Sequence, residues 1–159
     1  VLDEAGYGRA VSFRAGGWMA APNVREALVA QGLTVDSSAV PAHFLADEIG
    51  DAPLHHWVEV LWAGTEATSQ PYELDGLLEI PDNGALADYV TADEMFQVYA
   101  DAKQRWVEQP DQDMLVNIGF HQETADKYLP RVEEALDRML SDATEAGVPL
   151  RPTTMSTGY

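Results

Sequence analysis

Short apolar runs separated by longer amphipathic windows predict that this chain alternates strands with helices. The apolar run at residues 114–120 is interrupted only by Asn117 and Gly119, as is typical of a parallel strand covered on both faces. We predict strands at residues 10–13, 33–35, 77–81, 114–120 and 148–154.

Apolar residues spaced three or four apart predict three helices, beginning at Asn23, Thr91 and Pro130. Asn23 and Thr91 are each followed by Glu at the spacing of a capping box, and Gly32 and Gly147 are placed to end helices. The stripes expected to be buried are Met95, Tyr99, Ala102 and Trp106 in the second helix, and Val132, Leu136, Met139, Leu140 and Ala143 in the third.

This alternation predicts an α/β fold with a parallel sheet, organised as a single domain over residues 1–159. Residues 41–76 show no sustained period, so we predict a long loop there with short strands around residues 58–62. The loop holds Trp57, Trp62, His43, His55 and His56. We expect these histidines to be ordinary loop residues rather than metal ligands. We expect the tryptophans to pack in the core rather than to bind a sugar.

Composition narrows the function further. The net charge of −18, with nine basic residues scattered along the chain, argues against binding of nucleic acid. No apolar run approaches the ~20 residues that would span a bilayer. The absence of cysteine excludes disulfides, thiol nucleophiles and cysteine-ligated zinc.

Three polar residues follow predicted strands and are candidates for a site. They are Arg14, Asp36 and His121. Active-site groups of parallel α/β folds project from the carboxyl ends of strands, where these side chains are expected to meet. An aspartate-supported histidine is suited to proton transfer near neutral pH, and an arginine can orient a carboxylate.

The motifs around these residues resemble NodB-like polysaccharide deacetylases (carbohydrate esterase family four). The resemblance lies in Ser12-Phe13-Arg14-Ala15-Gly16-Gly17-Trp18, in residues 32–38, in Phe120-His121-Gln122-Glu123-Thr124 and in residues 76–81, which together extend over most of the chain. It implies the C-terminal part of a distorted (β/α) barrel that removes acetyl groups from a polysaccharide. In that family a divalent metal, usually zinc, activates the attacking water.

The resemblance also implies a role for each candidate residue. His121 would protonate the leaving group, Asp36 would tune this histidine, and Arg14 would steady the catalytic base. Trp18 would form an aromatic wall for the sugar.

The chain departs from the family pattern at its N-terminal side. Only 13 residues precede Arg14, so we expect the N-terminal strands, the Asp-Asp motif and the His-x-x-x-His metal motif to be absent. The usual Arg-x-Pro-aromatic motif also lacks its proline here. Zinc or another divalent metal is therefore expected for the complete domain, with no metal held by this chain alone.

We therefore expect a metal-dependent carbohydrate deacetylase, acting on N-acetyl or O-acetyl groups, to which this chain supplies the general acid. The alternative is a glycan-binding or structural relative without catalysis, and a third hypothesis makes residues 41–76 a partner-binding surface. A half-barrel with open edges is expected to form a homodimer or to pair with its missing half. The sequence assigns no location, although secretion or the cell envelope is compatible with it.

Overall fold

A four-stranded mixed sheet forms the centre of the protein in a computed structural model, which describes residues 4–6 and 8–155. Its strands are β1 (Ser12–Phe13), β2 (Val35–Asp36), β3 (Tyr72–Leu74) and β4 (Leu77–Glu79). In the spatial order β1-β2-β4-β3, the first three are parallel and β3 pairs antiparallel with β4. The α/β class is confirmed. Because this sheet is open, the barrel form stays a prediction.

The parallel register brings the strand ends to one edge. Phe13 lies beside Asp36, and Asp36 lies beside Glu79. Arg14 directly follows β1, so three charged side chains leave neighbouring strands at nearly the same level. The sheet thereby groups these three charged side chains at one edge.

Helices make up most of the remaining regular structure in the described part of the chain. They are α1 (Pro22–Ala30), α2 (Ala46–Ile49), α3 (Pro53–Leu61), α4 (Ala92–Glu108) and α5 (Ala125–Ala146), with short 3-10 turns at Gly16–Trp18, Ala42–Leu45 and Gln122–Thr124. The helices α4 and α5 pack against each other.

No helix in the described part of the chain is long and apolar enough to cross a membrane.

The prediction of a loop with strands for residues 41–76 was wrong over its first half. Residues 42–61 are mostly helical, and the stretch predicted as short strands lies at the end of α3. Pro53 occupies the first turn of α3, where its missing N–H costs nothing, and Val58 is fully buried. Trp62 is a core residue as predicted, whereas Trp57 is 52% exposed.

The apolar run at residues 114–120 is not a strand. It makes one bridge, between Gly119 and Leu86, with backbone hydrogen bonds joining Asn117 and Gly119 to residues 84–87, and side-chain amides bind its earlier residues. Gln70 accepts a hydrogen bond from the Leu115 N–H (2.7 Å), and Asn83 accepts one from the Asn117 N–H (2.8 Å). Residues 148–154 form no strand either, so the predicted final strand was wrong.

The predicted helices are present, with shifted boundaries. The first begins at Pro22 with Ala21 as its cap, so Asn23 forms no capping box. The last begins at Ala125 rather than at Pro130, and Gly147 ends it in the left-handed conformation with φ of 66°.

The buried face of α5 is narrower than predicted. It consists of Val132, Ala135, Met139 and Ala143, while Leu136 and Leu140 are 41% and 46% exposed. In α4, Met95, Tyr99 and Ala102 are buried as predicted, but Trp106 is only partly buried.

The capping box at the start of α4 gives a direct test of local stability. The Thr91 hydroxyl accepts from the Glu94 N–H (3.3 Å), and the Glu94 carboxylate accepts from the Thr91 N–H (2.7 Å). Thr91→Ala should lower the free energy of unfolding by about 1 kcal/mol in urea denaturation. Asn23→Ala, at the position where the capping box is absent, should change it by less than about 0.5 kcal/mol. Equal losses in both variants would contradict this assignment.

Candidate functional site

A cleft of about 390 Å³ opens where β1 ends and the chain returns at residues 86–89 and 120–121. Arg14, Trp18 and His121 all line it, so three of the four predicted site residues meet on one surface. The other lining residues are Ala15, Gly16, Gly17, Leu54, Leu86, Tyr89 and Phe120. Asp36 is not on this surface.

Arg14 is held by hydrogen bonds and an ion pair on the cleft wall. Its Nε donates to the Ser37 carbonyl (2.9 Å), its Nη2 donates to the Ser37 hydroxyl (2.8 Å), and its Nη1 lies 3.2 Å from Asp82 Oδ2. The guanidinium is 25% exposed, and the Asp82 carboxylate is fully buried. The positive charge at the cleft is therefore matched from behind by a buried negative charge.

Trp18 forms an aromatic wall in a strained conformation. Its φ is 57°, in the left-handed region that non-glycine residues rarely adopt. Trp62 donates from its indole to the Trp18 carbonyl (2.8 Å), and the Trp18 indole donates to Asp82 Oδ2 (3.1 Å). Tyr89 packs edge-on against the Trp18 ring at 5.5 Å. Such strain persists only where surrounding contacts determine it, as they do here.

His121 is paired with a carboxylate that the sequence analysis did not identify. Its Nδ1 lies 3.1 Å from Asp88 Oδ1, and its backbone N–H donates to Asp88 Oδ2 (3.3 Å). Thr124 donates to the same carboxylate at 2.6 Å. Burial raises the pKa of Asp88, but the hydrogen bonds from Thr124 and His121 outweigh this and hold it below its usual value. Asp88 therefore stays ionised and orients the imidazole, leaving Nε2 for proton exchange.

Asp36 belongs to a separate buried cluster. Its Oδ1 accepts hydrogen bonds from the Ser37 N–H (2.9 Å) and the Ser38 hydroxyl (2.6 Å), and Glu79 is its register partner on the neighbouring strand. The carboxylate that contacts His121 is Asp88. The contact with His121 that the resemblance implied for Asp36 is thus made by Asp88 instead.

Asp36 and Glu79 form a buried pair of carboxyl groups, for which we infer a shared proton. Both side chains are fully buried, and Asp36 Oδ2 and Glu79 Oε2 accept no hydrogen bond from another group in the described chain. Desolvation by burial, with the neighbouring carboxyl adding to it, raises the pKa of Glu79 to about 7. Burial also raises the pKa of Asp36, against the hydrogen bonds from Ser38 and Ser37. Two carboxyl groups buried side by side cannot both ionise at low cost.

The residues present do not form a metal site. Within residues 4–6 and 8–155, no group of three or more histidines or carboxylates is arranged to hold a metal ion. His55 contacts the Ala42 carbonyl (3.1 Å) and lies 3.9 Å from Glu59, while His43 is exposed and packs on Phe44.

Several site residues carried little signal in the sequence. Glu79 could have been noticed as a charge inside an apolar parallel strand, where an acid needs a buried partner. Asp82 follows the same strand, in what reads as an ordinary turn. Asp88 and Tyr89 come from an irregular segment, and only the tertiary fold brings Asp88 to His121.

Comparison of the chain with models of known protein families, with curated proteins and with solved structures finds no match. The resemblance to polysaccharide deacetylases therefore depends on the sequence motifs alone.

The buried carboxyl pair predicts an unusual dependence of stability on pH. Because the folded pKa of Glu79 is raised from 4.5 to about 7, its contribution is fully present below 4.5 and is lost as the pH rises through about 7. The free energy of unfolding should fall by a few kcal/mol between about pH 5 and about pH 9, as measured in urea.

Glu79→Gln should remove most of that slope, because an amide donates to Asp36 at every pH. Glu73→Gln, on exposed β3, is the matched control and should keep the wild-type slope. A slope that survives in Glu79→Gln would show that the pair does not share a proton.

Proposed function

We propose that this chain supplies the general-acid side of a carbohydrate deacetylase. The observation that carries the proposal is the His121–Asp88 pair on the wall of a cleft that also presents Trp18 and Tyr89. A carboxylate-oriented imidazole beside aromatic walls suits proton transfer to a bound sugar derivative.

The grouping of the motifs supports the same conclusion. Arg14 and Asp36 come from two separate motif segments, and both contact Ser37. The third segment contributes His121 to the cleft that Arg14 lines. These segments are distant in the sequence and close together in the fold, which supports the proposal.

In the proposed reaction, water adds to the acetyl carbonyl and the carbon–nitrogen bond breaks. His121, in its protonated form, gives its Nε2 proton to the departing amine nitrogen, and Asp88 stabilises the imidazolium until that transfer. For an O-acetyl group, the same proton goes to the departing alkoxide. We assign the activation of water to no residue described here, since none of them forms a metal site.

The charges at the cleft favour a neutral sugar. Arg14 is matched by Asp82 and His121 by Asp88, so neither side chain presents an unmatched positive charge to an anionic ligand. The volume of about 390 Å³ lies at the lower end of the range for small-molecule pockets. An N-acetylated or O-acetylated neutral sugar unit of a polysaccharide is the substrate class we propose.

The direct test uses the product of the complete reading frame that encodes this chain. Incubated with zinc and N-acetylated chitooligosaccharides, it should release acetate, detected enzymatically and by mass spectrometry of the sugar. Binding without acetate release would favour the non-catalytic glycan-binding alternative. An encoded protein without an Asp-Asp and a His-x-x-x-His motif before Val1 would reject the deacetylase.

Replacement of His121 tests the acid role. His121→Ala should lower turnover on the order of a hundredfold while changing KM little, because the proton is needed in the transition state rather than for binding. Asp88→Asn should lower turnover as well, since the imidazole loses its orienting carboxylate. Steady-state kinetics of acetate release give both values.

His43→Ala is the control for the loss of a histidine, because His43 is exposed and lies outside the cleft lining. It should keep wild-type turnover. Unchanged turnover in His121→Ala would remove His121 from the mechanism.

A further inference from the structure

Asp82 is a fully buried carboxylate that reaches the two walls of the cleft nearest to it. Its Oδ2 accepts from the Trp18 indole at 3.1 Å and pairs with Arg14 Nη1 at 3.2 Å. Its Oδ1 has no hydrogen-bond partner in the described part of the chain. One atom therefore holds two cleft residues that come from different positions after β1.

The backbone of Asp82 is fixed on both sides. Its N–H donates to the Ala39 carbonyl (2.7 Å), and its carbonyl accepts from the Ala85 N–H (3.0 Å). The carboxylate is thus presented from a turn anchored to the loop after β2. A rigidly presented acceptor can set the position of flexible donors, whereas a mobile one would follow them.

Both cleft residues need such an anchor. The Arg14 guanidinium is only part-buried, and Ser37 and Asp82 are its partners in the structure. Trp18 is held in the left-handed backbone region, which a non-glycine residue keeps only where surrounding contacts determine it. Loss of a buried partner leaves the remaining donors unpaired, which costs more than the hydrogen bonds alone contribute.

We propose that Asp82 is a positioning residue, which sets through Oδ2 the places of the Arg14 guanidinium and the Trp18 indole on the cleft wall. The consequence for sugar binding rests on the proposed function, whereas the anchoring of the indole does not. Asp82 itself does not line the cleft and is given no contact with the ligand.

Two substitutions separate the hydrogen bonds of Asp82 from its charge. Asp82→Asn can keep an oxygen at the Oδ2 position and removes the charge, whereas Asp82→Ala removes both. Asp93→Asn and Asp93→Ala are the matched controls, because Asp93 is 86% exposed on α4 and pairs with Arg138. Trp18→Phe removes the indole donor and identifies the Trp18 signal.

The first readout is hydrogen exchange of the Trp18 indole N–H, followed by nuclear magnetic resonance on the nitrogen-15-labelled 159-residue chain. We expect exchange to be faster by about tenfold or more in Asp82→Ala, with Asp82→Asn between it and the wild type. Both Asp93 variants should exchange as the wild type does. Wild-type exchange in both Asp82 variants would overturn the proposal.

The second readout is the dissociation constant for the tetramer of N-acetylglucosamine, measured by calorimetry. Asp82→Ala and Trp18→Phe should each weaken binding by about tenfold or more, and the double variant should be little weaker than either. If the wild-type chain binds no tetramer but the indole responds, the proposed function fails and the positioning role stands. If the wild type binds and the Asp82 variants bind equally well, the role in binding is wrong.

If circular dichroism shows that Asp82→Ala is unfolded, indole exchange in Asp82→Asn tests the proposal instead. Faster indole exchange in Asp82→Asn than in Asp93→Asn supports anchoring by Asp82, and equal exchange overturns it.

Discussion

The structure depends on the burial of carboxyl groups at one edge of a short parallel sheet. The register of β2 and β4 places Asp36 beside Glu79, and both side chains are fully buried. Buried acids require donors, a shared proton or a neighbouring cation, because desolvation of an unpaired charge is costly. The loop after β2 meets part of this requirement, since Ser38 and the backbone N–H groups of Ser37 and Ala39 donate to the pair.

The same loop links the acid pair to the cleft through hydrogen bonds. The Ser38 hydroxyl accepts from the Ala15 N–H (2.9 Å), and Ser37 accepts twice from Arg14. The Ser37 hydroxyl also accepts from Asn117, which ties in the chain segment leading to His121. Residues that never line the cleft thereby determine its shape. Asp36, which the resemblance placed beside the histidine, supports the site through these serines.

Local pattern was sufficient to single out the predicted site residues that follow apolar runs. Arg14 and His121 were predicted because each is a polar residue after an apolar run, although only the run before Arg14 is a strand, and Trp18 lies four residues beyond Arg14 in the same motif. The capping box at Thr91 was found because its residues are neighbours in sequence. Each of these predictions depends on residues that are close together in the sequence.

The features that were missed depend on contacts between distant residues. Asp88 acquires its role only because the fold brings it to His121, 33 positions away. The run at residues 114–120 has the composition of a strand, but the side chains of Gln70 and Asn83 accept hydrogen bonds from its backbone N–H groups.

The helix α3 was missed for a local reason. Its nine residues, with two adjacent histidines, are too short for a helical period to be distinguished from a strand.

The central claim is that an acetylated sugar binds beside His121. Chemical-shift mapping of the nitrogen-15-labelled chain with the tetramer of N-acetylglucosamine tests this most directly. The account predicts that the backbone amides of Gly16, Gly17, Tyr89 and His121 shift together, with one common dissociation constant. Shifts confined to residues 41–76, or none at saturating sugar, would contradict it.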